Sequence, residues 1–278
     1  MWFDTHCHLD ADNTEGDAEA VIERARQAGV GYFTCIGVGG LEPMRQAVAL
    51  AERHDNVWAT VGVHPHDAAT LDAALEAELE AALAHPRVVA LGEVGLDYHY
   101  DHSPRERQRE VFARMIALGR AHEKTIVVHT RSAAAETLEL LESESARDVG
   151  GIIHCFSEDR AFAGRALDMG FDLSFSGILT FKNAKAIQEV AAWAPNERVL
   201  IETDSPYLAP VPLRGKRCEP AYLVHTAAHL AKLRGVEVSD LCAQTTHNAA
   251  RRFGVDLSSR KMTDTLPGCA AFASSQGR

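Results

Sequence analysis

Basic residues are scarce: 28 Lys and Arg stand against 39 Asp and Glu in 278 residues, a formal net charge of −11 at pH 7. That balance excludes a protein that coats nucleic acid nonspecifically, because such proteins gain affinity by displacing counterions with Lys and Arg. A local basic patch is compatible with it. Paired cysteines are also missing. Cys7, Cys35, Cys155, Cys218, Cys242 and Cys269 are scattered and form no Cys-x-x-Cys pair, so they read as reduced thiols in a cytosolic protein rather than a disulfide framework. No apolar run approaches ~18 residues, and Asp4 interrupts the amino terminus before a signal-peptide core could form. The chain is expected in the cytoplasm, without a membrane partner; the sequence carries no sign of its oligomeric state. Also absent are a Gly-rich Walker loop, a dinucleotide fingerprint and a Gly-x-Ser-x-Gly elbow, so nucleotide-driven and Ser-based mechanisms lose support.

What is present is alternation. Apolar, β-branched-rich runs recur at 2–6, 31–37, 57–63, 88–93, 125–129, 151–154, 171–176 and 199–204, which makes eight expected strands. Helical patterns separate them at 17–28, 41–53, 71–84, 103–122, 133–144, 160–169 and 184–193, and a last helical region follows from Tyr222. Strict alternation implies parallel strands with helical crossovers. A closed (β/α)₈ TIM barrel is preferred to an open doubly wound sheet, because polar residues cap the carboxyl ends of strands from both halves of the chain. One barrel domain is expected over residues 1–257. Residues 258–278, rich in Ser, Gly, Thr and Pro and without periodicity, are read as a disordered tail.

Ligand-type residues gather at the strand ends. Side chains alternate along a strand, so in Asp4-Thr5-His6-Cys7-His8 the two imidazoles project to one side and Cys7 to the other. Glu93 ends the fourth strand, His129 the fifth, His154 the sixth and Asp204 the eighth. Any one of these alone reads equally well as a core histidine or a helix cap. A parallel barrel, however, brings the strand ends together on the face where its active sites are built. Without cations, Glu93 and Asp204 would share a confined polar pocket at an electrostatic cost. Four imidazoles and two carboxylates exceed what one tetrahedral catalytic ion takes from protein, so two divalent ions fit better. Either Glu93 or Asp204 could bridge them, since a carboxylate bridges cations and an imidazole nitrogen generally does not. The mixed N/O set suits Zn²⁺, Mn²⁺, Fe²⁺ or Co²⁺, with Mg²⁺ an option if the imidazoles contribute less.

Anion-binding candidates surround this set. Of His64 and His66, which follow the third strand, His64 is the better substrate-facing candidate. Arg131 stands two residues after His129 and could clamp a phosphate, although pairing with a carboxylate is the ordinary fate of such an arginine. Arg214, Lys216 and Arg217 put three cations in four residues past the eighth strand, and Lys182 lies in the seventh loop. Loops after the last two strands are the usual phosphate site of a barrel; the ordinary alternative is a solvated surface loop. The pair Glu93 and Asp97 suggests glycosidase carboxylates only remotely, given five ligand-type neighbours.

These motifs carry a resemblance. Through DTHCHLD (4 to 10), VGVHPHDA (61 to 68), LGEVGLDYHYDHSPRERQREVF (91 to 112), VVHTRSA (127 to 133), HCFS (154 to 157), SFSGILTFKNA (174 to 184) and IETDSPYLAPVPLRGKRCEPAYL (201 to 223), the chain resembles TatD-family metal-dependent hydrolases as far as about Phe253. The resemblance implies a (β/α)₈ barrel, two divalent ions and phosphodiester hydrolysis, commonly as a deoxyribonuclease. It also implies that His6, His8, Glu93 and Asp204 hold one ion and Glu93, His129 and His154 the other, with Glu93 as the bridge. Two positions depart from the family pattern. Cys218 stands where the basic loop usually has Asn, and Ser132 where an Asp usually follows the Thr-Arg pair; neither is a metal ligand, and both bear on substrate preference.

The leading expectation is hydrolysis of DNA phosphodiesters by a water that two ions activate, with Asp204 as general base. Glu93 and Asp204 are then the catalytic residues. The alternative within enzymes is an amide or ester hydrolase, such as a D-aminoacyl-tRNA deacylase, since the same attacking water could reach a carbonyl. A nucleic-acid-binding scaffold with structural metals is disfavoured, because structural sites are usually closed, Cys-rich and single.

Overall fold

The apolar runs form β1 (Trp2–Cys7), β2 (Val30–Gly37), β3 (Val57–Val61), β4 (Val88–Asp97), β5 (Thr125–Arg131), β6 (Gly151–Ile153), β7 (Phe171–Phe175) and β8 (Val199–Ile201). They are almost wholly buried, which is why they read as continuous apolar runs rather than as alternating ones. A computed structural model describes residues 1–257; the tail expected over 258–278 lies outside the described residues. All eight strands pair in parallel in chain order. The sheet closes where Cys7 bridges Ser205: the Asp204 N–H donates to the His6 carbonyl at 2.9 Å and the His8 N–H to the Ser205 carbonyl at 2.9 Å. Closure thus runs through the residues expected to hold metal.

Helices α1 (Ala11–Thr14), α2 (Ala18–Gln27), α3 (Leu41–Arg53), α4 (Ala73–Leu83), α5 (Arg105–Ala121), α6 (Ala134–Ser143), α7 (Arg160–Asp168), α8 (Lys185–Trp193), α9 (Leu223–Arg234) and α10 (Val238–Phe253) follow the strands. Their starts are written in the sequence: Asp17, Asp72 and Asp159 accept N–H bonds from Ala20, Leu75 and Phe162 as N-caps. The longer helices turn an apolar stripe inward, as α3 does with Met44, Ala47, Leu50 and Ala51. The region expected from Tyr222 is two helices, because Gly235 takes the left-handed conformation (φ 64°) and ends α9. Among the described residues, no helix is long and apolar enough to cross a membrane.

Two cores result. The larger lies between the barrel and its helices. The smaller fills the barrel interior with Phe3, Trp58, Ala90, Val127, Ile152 and Leu200, and α10 adds Ala249 and Phe253 to it. Phe3 stacks on Trp58 at 5.3 Å and meets Phe253 at 5.8 Å, so the amino-terminal mouth of the barrel is packed shut. Beside it the buried Asp172 receives Arg198, Arg251 and Arg252 at 2.7–2.8 Å, which ties α10 to the base of β7. The opposite mouth is left for polar groups.

Strand β4 runs four residues past its expected end at Glu93. Its register with β5 slips between Gly92 and Val94, and the ladder then resumes as far as Asp97 opposite Arg131. Gly95 makes this possible: at φ 143°, a Cβ there would stand 1.9 Å from the His129 carbonyl oxygen. The close approach delivers Asp97 to the polar mouth.

Candidate metal centre

The other five expected ligands gather around Glu93, which is buried. Its Oε2 lies 3.3 Å from His6 Nε2. Its Oε1 lies 2.9 Å from His154 Nε2, 3.0 Å from His129 Nδ1 and 3.4 Å from His64 Nε2. Asp204 Oδ1 completes the first side, 3.6 Å from both His6 Nε2 and His8 Nε2. Each oxygen of one carboxylate therefore faces its own group of imidazoles. His64, expected to face substrate, stands among the donors: His64, Glu93 and His129 form a group of potential ligand atoms, as do His6, His8 and Glu93.

Local backbone makes these positions available. Asp204 and Cys155, at or next to ligand positions after β8 and β6, adopt φ of 56° and 44°. These left-handed conformations turn the chain sharply at the strand exit, and Asp is among the few side chains that tolerate one.

The donors fit divalent cations. His6 is fully buried, and neither of its ring nitrogens makes a hydrogen bond, which a buried imidazole avoids unless a ligand takes that place. His154 Nδ1 lies 3.1 Å from Glu202 Oε1, and His129 Nε2 lies 3.1 Å from Asp97 Oδ2. Each ring thus has one nitrogen held by an outer carboxylate and the other aimed at Glu93, the arrangement by which proteins fix the tautomer of a metal-binding histidine.

Without an ion, the buried acids and imidazoles hold one another: against the effect of burial, Glu93 and Asp204 raise the proton affinity of His154, His129 and His8 beside them. Burial opposes charge on Glu93, but His154, His64 and His129 outweigh it and hold the carboxyl well below its ordinary range. Asp204 behaves likewise: burial is overcome by His8, His154 and His6, and the group stays ionised. Burial together with the neighbouring His154 lowers the affinity of His6 for a proton, leaving it a neutral donor.

Sequence reasoning gives three groups no part in the centre: Glu202 and Asp4 are not singled out, and Asp97 is weighed only as a glycosidase carboxylate. Glu202, fully buried, accepts from the Cys155 N–H at 2.7 Å as well as orienting His154. Asp97 also faces His66 Nε2 at 3.1 Å. Asp4 accepts from the Thr203 N–H at 2.9 Å and the Thr203 hydroxyl at 2.6 Å, pinning β1 to the end of β8. The alternation that pairs His6 with His8 also pairs Asp4 with His6 and Glu202 with Asp204, so the signal was present.

The expected anion-binding residues separate into two kinds. Arg131 is exposed, and its guanidinium lies over the Tyr100 ring at 4.7 Å instead of pairing with a carboxylate. Arg214 is exposed over Phe181 at 4.3 Å, and Lys182 is exposed beside it in sequence. Arg217 instead donates to the Asn13 carbonyl at 2.6 Å and stands 4.0 Å from Glu15, so it ties the basic loop to α1. Cys218, buried, donates its backbone N–H to the Pro206 carbonyl at 3.0 Å.

Against known proteins, residues 3–254 match the family model described as TatD related DNase. The chain is 44% identical over 265 residues to the metal-dependent hydrolase YcfH of Escherichia coli strain K12, spanning 92% of this chain and 96% of that protein. It is 34% identical over 260 residues to a Klebsiella pneumoniae protein named 3′-5′ ssDNA/RNA exonuclease TatD, spanning 92% and 98%. Among solved structures, the TatD homolog YjjV of Escherichia coli K12 superposes with a TM-score of 0.86 at 28% identity, covering 92% of this chain and 98% of that one.

Proposed function

The chain belongs to the TatD family of metal-dependent hydrolases, and we propose that it hydrolyses phosphodiester bonds of DNA with two divalent ions bound per chain. The observation that carries this is the division of Glu93: one oxygen faces His6, the other faces His129, His154 and His64. His6, His8, Glu93 and Asp204 would hold one ion, and Glu93, His129 and His154 the other. Bound there, the ions would make a water acidic enough to attack at neutral pH and would neutralise charge on the phosphate.

The chain's own groups do the rest. Asp204, ionised in its setting, accepts a proton from the attacking water at its carboxylate. Arg131 at the end of β5, and Lys182 and Arg214 on the loops after β7 and β8, face solvent where an anionic strand would arrive. The name of the Klebsiella relative supports a nucleic-acid substrate. The five free cysteines among the described residues suit the cytoplasm.

The test is a panel of single-stranded DNA, duplex DNA, RNA, aminoacyl-tRNA and a simple phosphodiester, assayed with each divalent ion after chelation. Phosphodiester cleavage should appear only with metal restored. Glu93→Gln should lose cleavage and bind fewer than two ions, and Asp204→Asn should lower kcat by at least ~10²-fold with a smaller change in KM. Deacylation without phosphodiester cleavage would overturn the nuclease assignment, and a Glu93→Gln protein with two ions and native rates would overturn the bridge.

A further inference from the structure

Aromatic residues make up only 6% of the chain, and few of them reach the surface. Among the described residues the exposed large hydrophobic side chains are Tyr100 (51%), Trp193 (38%), Tyr207 (55%), Val211 and Val236. Trp193 belongs to an outer helix, where Arg160 stacks on it at 4.4 Å. The two tyrosines stand elsewhere, on the loops after β4 and β8, at the polar mouth of the barrel.

Their positions relative to the metal centre are specific. Tyr207 meets His8 edge-on at 5.9 Å, His8 meets His6 at 5.3 Å, and His6 stacks on His154 at 3.9 Å. His154 then neighbours His129 at 5.8 Å, His129 neighbours His66 at 6.4 Å, and His66 meets Tyr100 at 5.4 Å. The ring contacts run through the whole cluster and end in an exposed tyrosine on each side.

Both tyrosines are tied by their own backbone to the acids of the site. The Tyr100 N–H donates to Asp97 Oδ1 at 2.9 Å, and the Tyr207 N–H donates to the Asp204 carbonyl at 2.8 Å. Fixed in this way, a ring with two side-chain torsions loses little entropy when a flat ligand covers it. The Arg131 guanidinium lies over one face of the Tyr100 ring at 4.7 Å, so this side offers a tyrosine and a cationic plane together, the two kinds of group on which unpaired bases stack.

We propose that Tyr100 and Tyr207 are stacking platforms for nucleobases on the two sides of the metal centre, each taking the face of one base that flanks the cleaved phosphate. The assignment rests on the nuclease reading above and names the residues that would hold the flanking bases. Bases stacked within a duplex have their faces covered, and they reach such platforms only after unstacking.

The test compares a single-stranded oligonucleotide with the same strand made abasic on both sides of the cleaved bond. The native protein should show a higher KM on the abasic strand. Tyr100→Ala and Tyr207→Ala should each raise KM on the intact strand roughly 5- to 150-fold, the range for one stacked base, and add little on the abasic strand. Tyr→Phe at either position should restore the native KM, and Trp193→Ala should leave it unchanged. Alanine variants that lose equally on both strands, or lose nothing on the intact one, would overturn the proposal.

A second measurement does not require cleavage: quenching of 2-aminopurine in a short single strand bound to the Glu93→Gln protein. Quenching that is absent, or unaltered when either tyrosine is replaced by alanine, overturns the stacking role whatever the chain cleaves. Failure to cleave any oligonucleotide, with quenching intact and tyrosine-dependent, overturns the nuclease reading alone.

Discussion

At the residue scale, the centre depends on groups that touch no ion. Glu202 accepts from His154 Nδ1 at 3.1 Å and from the Cys155 N–H at 2.7 Å with a single oxygen, so one carboxylate sets both the ring and the sharp turn beneath it. Replacing it by Gln keeps the shape and an acceptor but removes the charge that raises the basicity of His154. Outer carboxylates of this kind are typically worth 10- to 100-fold in metal affinity or activity. Glu202→Gln should therefore weaken metal retention by roughly 10- to 100-fold, read by competition with a chelator, while far-UV circular dichroism stays native. Unchanged retention would reduce Glu202 to a cap on the Cys155 turn.

At the element scale, the strands were legible because each is buried on both faces and carries a run of apolar residues that solvent-facing strands lack. The ligands were legible because each stands at or beside a strand exit. The continuation of β4 was not, since Gly95 and Asp97 look like turn residues until the backbone of β5 is known to pass within contact distance. Nor was the tether of Arg217 to Asn13, whose partner is 204 positions away in sequence. Helix α10 carries a role that its amphipathic pattern alone does not announce: Phe253 enters the barrel interior against Phe3. Phe253→Ala should cost ~3 kcal/mol, the low end for a buried aromatic, because the cavity opens at a mouth partly able to relax. Urea unfolding should register the loss while metal content and kcat of the folded protein hold, since α10 closes the end opposite the site. A fall in kcat at full metal occupancy would instead show that packing at the base is transmitted to the ligands.

At the scale of the whole molecule, the barrel is polar in its distribution of charge. An excess of 11 negative charges would repel an anionic strand, and most arginines on the outer helices are neutralised, as Arg24 is by Glu219 and Arg120 by Asp148. At the base, Arg198, Arg251 and Arg252 converge on Asp172. Arg131, Lys182, Arg214 and Lys216 make no ion pair among the described residues, and all four stand at the metal-ligand end, Arg131 as the last residue of β5 and the others on loops. At the mouth these four cations offset the net negative charge of the molecule for an anionic strand that arrives there.

This distribution separates two arginines that the sequence groups together. Arg214 rests on an aromatic ring, with its charge available to a phosphate, whereas Arg217 spends its donors on the Asn13 carbonyl. For single strands, each phosphate contact contributes about −0.7 to the slope of log affinity against log salt. Arg214→Ala should therefore weaken binding of a single-stranded oligonucleotide and make that slope shallower by about 0.7, with metal content unchanged. Arg217→Ala should leave the slope near its native value and act on the α1 loop, seen as faster amide exchange over residues 11–16. Equal slopes for the native protein and the Arg214 variant, at several salt concentrations, would return Arg214 to the solvated surface and shift the search for phosphate contacts to Arg131 and Lys182.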